Sequence, residues 1–290
     1  MSAGAYFDLA APAKLNLLLH VIGRRPDGYH LLQSLIVLID WCDTLHVERR
    51  SDGRLARHDL ASALPEDDLC LRAARALQQA SGTTSGADIW IEKGVPSGAG
   101  MGGGSSDAAT TLLALNRLWR LGWPRTRLGE LALSLGADVP FFIGGQNALV
   151  EGIGERLTPV PVVPQWFAVL KPEASIDTGS IFVSSALCRE TPAVILPGSL
   201  EDAVAWSETA GRNDLQPPAE SLCPDVTRAL DCMRERFGNS RMTGSGSAVF
   251  SRAGTGDRPM ASLPEAMPAG WVGRMCRSLA AHPLADWAAG

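Results

Sequence analysis

The sequence has 290 residues, which is enough for two domains of ordinary size. Hydrophobic residues make up 46% and charged residues 20% of it, a balance that excludes disorder as the main state. The net charge is -5 and no run of basic residues exceeds two, so the charge pattern argues against nucleic-acid binding.

Membrane and metal signatures are also absent from the sequence. No apolar stretch approaches the roughly 20 residues of a membrane span, and the first eleven residues lack the pattern of a signal peptide. The six cysteines form no C-x-x-C pair, and the five histidines form no close ligand pair. We therefore expect a reduced, cytoplasmic protein without membrane contacts or a structural metal.

The first fifty residues are predicted to be β-rich and antiparallel. Alternating leucines in the first strand place Lys14, Asn16 and His20 together on its other face. A third strand is expected to begin just after Asp43, separate from the second. The predicted strands are residues 12–22, 31–41 and 44–49.

The middle of the chain alternates between helical and extended patterns. Helices are predicted over residues 67–80 and 126–135, a strand over 87–92, a helix after a glycine-rich segment, and a hairpin over 147–160. We expect the helix after the glycine-rich segment to be capped by Ser105, Ser106 or Asp107. The later helix is expected to end at Gly136, since glycine is common at that position.

Three prolines in residues 159–164 predict a linker between two domains. The resulting assignment is a first domain over residues 1–160 and a second over 161–290. In the second, the pattern predicts a strand over 166–170, helices over 200–210 and 223–237, and a strand pair around residues 244–246. Both halves therefore read as α+β.

A glycine-rich loop is the strongest chemical signal. Five glycines lie between residues 98 and 104, where a strand leads into a helix. Such a loop lets backbone N–H groups converge on an anion at the helix N-terminus. A flexible turn is the alternative, although ordering so many glycines for a turn alone carries a large entropic cost. The loop therefore predicts a phosphate site.

Two common phosphate motifs fit this loop poorly. The P-loop pattern fails because no lysine follows the glycines. The pattern G-x-G-x-x-G does match at Gly98, Gly100 and Gly103, which keeps a dinucleotide-binding oxidoreductase as an alternative. That alternative is disfavoured because a second helix stands where a strand ending in an acidic residue is required.

Asp138 is a candidate catalytic carboxylate. It follows a predicted helix and stands two residues before a proline, a position at which capping or turn aspartates are common. A lysine delivered from another strand would favour a chemical role. Only three of the 26 basic residues are lysines, and one of them, Lys14, lies in an apolar strand where a lone charge is unfavourable.

These segments together resemble the galactokinase, homoserine kinase, mevalonate kinase and phosphomevalonate kinase (GHMP) superfamily. The motifs occur in the order of that superfamily: residues 12–17, 23–30, 98–106, 136–140 and 243–246. The resemblance implies two α+β domains, the first like domain 2 of ribosomal protein S5 and the second a ferredoxin-like α/β domain. It places the active site in the cleft between them.

The resemblance also implies an activity and a role for each site residue. The chain would be an ATP-dependent kinase of a small molecule. Residues 13–16 (A-K-x-N) and 27–30 (D-G-Y-H) are most similar to those members of the superfamily whose acceptor is the cytidyl diphosphate ester of methylerythritol, phosphorylated on its 2-hydroxyl. Asp138 would be the general base, with Lys14 beside it. The substrate would be held by Asn16, Tyr29, His30, Phe182, Gly244 and Ser245, with Ile181 as an alternative to Phe182. ATP would bind to Pro96, Ser97, Gly98, Ala99, Gly100, Met101, Gly102, Gly103, Gly104, Ser105 and Ser106.

Ser105 and Ser106 have two possible roles. Their hydroxyls offer the hard oxygen ligands that suit phosphate-bound Mg²⁺, and they equally suit helix capping.

Two other functions stay open at this point. A sister kinase would act on mevalonate, homoserine or a sugar and would have no use for a nucleobase clamp at Tyr29 and His30. An ATP-binding regulatory protein would keep the fold without the chemistry, although the presence of both Lys14 and Asp138 argues against it.

Overall fold

The fold begins with two long antiparallel strands. The computed structural model describes residues 4–197 and 201–290. Strand β1 (Ala5–Arg24) pairs along its length with β2 (His30–Arg50). The predicted separation of two strands around Asp43 is wrong, because β2 continues through it. The buried Asp43 carboxylate accepts hydrogen bonds from the backbone N–H groups of Gly94 and Val95, so it is satisfied without a break in the strand.

The first sheet has six strands, two of which are this pair. Its order is β3-β4-β2-β5-β6, with β1 paired to β2. The added strands are β3 (Leu55–Asp59), β4 (Gly86–Glu92), β5 (Ala148–Gly152) and β6 (Arg156–Pro159). Only the β3–β4 pair is parallel. The antiparallel β5–β6 pair confirms the predicted hairpin.

Four helices pack together with this sheet around one hydrophobic core. They are α1 (Leu69–Ser81), α2 (Gly103–Leu118), α3 (Arg125–Leu133) and α4 (Val139–Gly144). Two predicted helix ends are wrong. Helix α2 starts after Gly102, whose φ of 71° favours glycine, so the three expected capping residues lie inside the helix. Helix α3 stops at Leu133, with Ser134 rather than Gly136 at its C-cap.

The second sheet is antiparallel and has four strands in the order β10-β7-β9-β8. These are β7 (Trp166–Lys171), β8 (Arg241–Met242), β9 (Val249–Arg252) and β10 (Val272–Arg277). The helices of this half are α5 (Thr178–Val183), α6 (Ala203–Ala210), α7 (Gln216–Leu222) and α8 (Pro224–Phe237). The predicted strand over 166–170, the helix over 223–237 and the strand pair are confirmed. The helix expected from residue 200 begins at Ala203, and residue 200 itself lies outside the described residues.

The end of the chain returns to the first half of the protein. The Leu279 N–H donates to the Leu38 carbonyl of β2, and Leu284 joins the core of the first half. His282 is buried, with its Nε2 3.4 Å from Thr110 Oγ1 of α2. The last dozen residues therefore pack on the first half, although the proposed boundary assigns them to the second. That boundary stays a prediction.

Candidate active site

Two adjoining cavities lie where the glycine loop meets both halves of the chain. The first has a volume of about 310 Å³ and the second about 390 Å³. Both are lined by the same four residues at their junction: Gly100, Gly102, Thr178 and Ser245. Lys14, Asn16 and Asp138 line the first cavity. A Cβ on Gly102 would lie 3.1 Å from Lys14 Cε, so the predicted catalytic pair lies beside the junction.

Lys14 is a buried cation held at three points. Its backbone N–H donates to the Met101 carbonyl at 3.0 Å, which ties β1 to the glycine loop. Its Nζ donates to Asn16 Oδ1 at 2.5 Å and lies 3.4 Å from Asp138 Oδ2. Only 3% of the Lys14 side chain is exposed. The ammonium therefore points into the site rather than into solvent.

Asp138 has a carboxylate that serves no structural hydrogen bond at its helix. It stands at the N-cap position of α4, yet its side chain accepts no capping hydrogen bond. Its side chain is 39% exposed, so the carboxylate keeps part of its contact with solvent. A Cβ on Gly154 would collide with the Ala137 carbonyl, which shows how closely the β5–β6 turn approaches. Asp138 is thus fixed in position with its oxygens available.

Asn16 is fixed by the hydroxyl groups of Ser34 and Thr243, neither of which was predicted as a site residue. Its Nδ2 donates to Ser34 Oγ at 2.8 Å, and its backbone N–H donates to Thr243 Oγ1 at 2.9 Å. The Thr243 hydroxyl in turn donates to Asn16 Oδ1 at 3.3 Å. Thr243 belongs to the motif at residues 243–246, so the sequence did point to this segment. No sequence pattern pointed to Ser34. The network orients the amide oxygen that accepts from Lys14.

The glycine loop interlocks with the turn at residues 243–246. A Cβ on Gly100, whose φ is 71°, would collide with the Thr243 carbonyl, and one on Gly244 would meet the Gly100 backbone. Two hydrogen bonds join the segments, from Ser247 N to Gly98 O and from Ala248 N to Ala99 O, both 3.2 Å. Glycine is required here because two backbones approach each other without room for side chains.

The predicted nucleotide residues divide between the two cavities. Residues 96–104 line the second cavity, and Ser105 lines the first. Ser106 is fully buried, and its hydroxyl has no hydrogen-bond partner among the described residues. The N-terminus of α2 lies between these groups and adds a favourable potential for phosphate oxygens.

Lys93 joins the two ends of the glycine loop and was missed as a site residue. Its Nζ pairs with the buried Asp43 and lies 2.6 Å from Asp107 Oδ2 on α2. Burial opposes the charge of Lys93, but the two carboxylates outweigh it and raise its pKa. Burial, followed by the nearby Asp43 charge, raises the pKa of Asp107. The signal for Lys93 in the sequence was the scarcity of lysine, since the chain has only three.

All three lysines point inward. Lys171 donates from Nζ to the carbonyls of Pro172 and Ala174, at 2.6 and 2.9 Å, and burial lowers its pKa. Lys14 and Lys93 line the first and second cavities, respectively. The exposed basic side chains of the protein are therefore guanidinium groups.

The predicted aromatic contacts are brought together only in part. The rings of His30 and Phe182 stack with centroids 4.8 Å apart, and Phe182 lines the first cavity. Ile181 is fully buried in the core of the second half, which separates it from the cavity. Neither His30 nor Tyr29 lines the cavity, and the Tyr29 side chain is 65% exposed. Burial, followed by nearby arginine charges, lowers the pKa of His30, which favours its neutral imidazole.

The donor set suits Mg²⁺ bound together with phosphate rather than a metal held by protein alone. Within residues 4–197 and 201–290, no cluster of three or more His, Cys, Asp or Glu side chains could hold a metal ion. Mg²⁺ commonly takes only one or two protein oxygens and completes its shell with phosphates and water. The Ser105 hydroxyl in the cavity and the unpartnered Ser106 hydroxyl fit that requirement.

None of the described helices combines the length and apolar character of a membrane span.

Comparisons with known proteins match this chain over nearly its full length. The GHMP kinases N terminal domain matches residues 68–146, and the GHMP kinases C terminal domain matches residues 186–261. The chain is 62% identical to the 4-diphosphocytidyl-2-C-methyl-D-erythritol kinase of Methylibium petroleiphilum, covering 99% of this chain and 100% of that protein. It is 56% identical to the kinase of the same name from Paracidovorax citrulli, with 97% of each covered.

Solved structures agree with the sequence comparison. The crystal structure of a 4-(cytidine 5'-diphospho)-2C-methyl-D-erythritol kinase has a TM-score of 0.78 and 35% identity, covering 93% of this chain and 98% of the other. A homoserine kinase from Cytophaga hutchinsonii has a TM-score of 0.66 at 16% identity, covering 97% and 96%. The second likeness concerns the fold alone.

Proposed function

Because the chain belongs to the 4-diphosphocytidyl-2-C-methyl-D-erythritol kinases of the GHMP superfamily, we propose that its two cavities are the acceptor and ATP sites of one phosphoryl transfer. The protein is an ATP-dependent kinase. It transfers the γ-phosphoryl group to the 2-hydroxyl of 4-diphosphocytidyl-2-C-methyl-D-erythritol, giving the 2-phosphate and ADP, in non-mevalonate isoprenoid precursor synthesis. The observation that carries this proposal is the position of the Lys14–Asp138 pair in the first cavity, with Lys14 next to Gly102 at the junction with the second.

ATP is assigned to the second cavity. The backbone of residues 96–104 and the N-terminus of α2 supply N–H groups and a favourable dipole for the phosphates. Leu64, Pro65, Leu69 and Val95 form an apolar part of the same cavity, which suits the base. In this placement the terminal phosphate lies toward Gly100 and Gly102, at the entrance to the first cavity.

The Asp138 carboxylate is assigned as the general base. It accepts the proton of the acceptor hydroxyl as that oxygen forms its bond to the transferred phosphorus and the bond to the ADP oxygen breaks. Lys14 orients the carboxylate across 3.4 Å and supplies positive charge where the transferred group carries negative charge. Asn16 holds the ammonium in place from its other side.

The rest of the first cavity is assigned to the cytidyl part of the acceptor. Phe182 offers a ring face beside His30, whose neutral imidazole can both donate and accept a hydrogen bond at the base edge. Gly244 and Ser245 line the same cavity. The role of Tyr29 rests on the family resemblance alone, because its side chain is exposed.

Mg²⁺ is proposed as the ion that accompanies ATP, held by the Ser105 hydroxyl, and by that of Ser106 if its side chain turns toward the phosphates. When bound it neutralises charge on the phosphates. We also propose a cytoplasmic location, which the availability of ATP there supports. All six cysteines are free thiols in the structure, as a reducing compartment requires.

The test is ADP release with Mg-ATP and 4-diphosphocytidyl-2-C-methyl-D-erythritol, run beside mevalonate, homoserine and galactose. Turnover only with the cytidyl acceptor, lost in Asp138→Ala, supports the assignment and the base. Turnover with another acceptor would leave the superfamily intact and overturn the acceptor assignment. Folded protein that binds ATP and turns over no acceptor would favour a regulatory role.

A further inference from the structure

A single arginine organises the segment that walls one side of the second cavity. This segment, residues 60–68, connects β3 to α1. Leu64, Pro65 and Asp68 of the segment line the cavity together with the glycine loop. A Cβ on Gly104 of the loop would lie 3.5 Å from Leu69 Cδ1, just beyond the segment, so the two walls face each other closely.

Arg57 of β3 makes five polar contacts within this part of the chain. Its guanidinium forms a two-point interaction with Asp59, through Nε at 2.6 Å and Nη2 at 3.0 Å. It donates from Nη1 to the Pro65 carbonyl at 2.8 Å and from Nη2 to the Leu64 carbonyl at 3.1 Å. Nη1 also lies 2.8 Å from Asp68 Oδ1. The side chain is only 7% exposed, so these partners replace its water.

The partners of Arg57 are themselves tied to the segment and to α1. Asp59 Oδ2 accepts from the Leu64 backbone N–H at 2.9 Å, so both polar backbone groups of Leu64 are bonded to the Arg57–Asp59 pair. Asp68 caps α1 by accepting from the Leu71 N–H at 3.1 Å. The segment has no helix or strand of its own, so these bonds determine where its carbonyls and apolar side chains lie.

We propose that Arg57 is a positioning residue for ATP, which fixes Leu64 and Pro65 as a wall of the nucleotide cavity without touching the nucleotide. The inference rests on the proposed placement of ATP in the second cavity. A planar guanidinium is needed because it bonds two carbonyls and two carboxylates at once, a geometry that lysine cannot reproduce. The expected signature is weaker ATP binding with little change in the chemical step.

Arg50 supplies a matched control. It forms the same two-point interaction with the aspartate two residues further on, Asp52, at 3.0 and 2.6 Å, and a third contact with Asp88. None of these three residues lines either cavity. Arg50→Met therefore removes a comparable arginine network from the same sheet and leaves the nucleotide wall untouched.

The experiment measures ATP affinity by calorimetry and steady-state kinetics for both substrates. We expect Arg57→Met to raise the Kd and KM for ATP about tenfold while kcat and the acceptor KM stay within about twofold. Arg50→Met should leave the ATP Kd, both KM values and kcat within about twofold of the parent values, even where it lowers Tm. An unchanged ATP Kd in Arg57→Met, or an equal rise in both KM values, would overturn the inference.

Two further variants keep the outcome decisive. If Arg57→Met does not fold, Asp59→Asn removes one partner of Arg57 and should raise the ATP Kd about threefold; no rise would overturn the inference.

Gly104→Glu places a negative side chain in the second cavity without a backbone clash. Unchanged ATP binding in Gly104→Glu would overturn the placement of ATP itself. Lost binding there with normal binding in Arg57→Met would overturn only the role of Arg57.

Discussion

Lys14 and Asp138 lie 3.4 Å apart from Nζ to Oδ2, yet one side chain is almost fully buried and the other is more than a third exposed. The cation is therefore fixed by the protein, while the carboxylate keeps an open side toward the first cavity. An acceptor hydroxyl can approach that open side without displacing Lys14. This asymmetry allows the two groups to have separate functions, the base on Asp138 and the fixed charge on Lys14.

Asp138→Asn should lower kcat by about two to four orders of magnitude, because an amide cannot accept the hydroxyl proton. The fold should be unaffected, since the carboxylate caps no helix. Asp68→Ala is a suitable comparison because Asp68 does cap its helix, α1, and alanine removes that cap. We expect thermal unfolding to register Asp68→Ala but not Asp138→Asn. A stable Asp138→Asn enzyme with normal turnover would contradict the base assignment.

Lys14→Met should also lower kcat, and its effect should not add to that of Asp138→Asn. If Lys14 acts by orienting Asp138 and by offsetting charge at the same phosphoryl group, the double variant will be little slower than the slower single variant. A double-mutant cycle on kcat measures this coupling. Fully additive losses would indicate that the two side chains act in independent steps.

Phe182→Leu should raise the KM for the cytidyl acceptor about tenfold or more, which is the range expected for the loss of base stacking. The KM for ATP should not change, because Phe182 lines only the first cavity. Val183→Ala is the matched control, since that neighbouring side chain is exposed. Equal effects of the two substitutions on the acceptor KM would argue against stacking on Phe182.

Gly100→Ala should weaken ATP binding and lower stability, because its Cβ would collide with the Thr243 carbonyl and its φ is positive. Gly129→Ala is the opposite case. A Cβ on Gly129 meets nothing within 4 Å, and Gly129 lies inside α3. Chemical denaturation should show a gain of up to about 1 kcal/mol for Gly129→Ala. A Gly100→Ala protein as stable as the parent would contradict the interlocked backbones.

His282 should make the protein less stable in mild acid. Burial lowers the pKa of His282 from 6.5 to about 4, so the folded protein holds it neutral. Its contribution is complete above pH 6.5 and is lost as the pH falls toward 4, by about 3 kcal/mol in total. Denaturant titrations across this range should show a smaller loss in His282→Asn than in the parent. An identical pH slope in both proteins would exclude His282 as the source.

Much of the site could be predicted because its residues lie in short, regular segments. Strand alternation placed Lys14 and Asn16 on one face, and they are hydrogen-bonded in the structure. The glycine density between residues 98 and 104 likewise indicated the loop that enters α2. The pairing of Lys14 with Asp138 required a contact between distant segments, which periodicity cannot supply and which the family resemblance did.

Other features depend on contacts that no local pattern encodes. Asp43 was expected to mark a strand boundary, but backbone groups after β4 satisfy it and the strand continues. No sequence pattern pointed to the contacts of Arg57, because its carbonyl partners lie in a segment without regular structure. Ser34 lies in no motif, and only packing brings its hydroxyl to Asn16.

The inward orientation of the lysines has a practical chemical consequence. A reagent that acylates primary amines meets side-chain targets only in the interior of the folded protein, at Lys14, Lys93 and Lys171. Labelling of Lys14 and Lys93 would report access to the two cavities rather than surface area. Mass spectrometry after brief acylation, with and without nucleotide, would thus turn Lys93 into a reporter of the second cavity, with Lys171 as the internal reference.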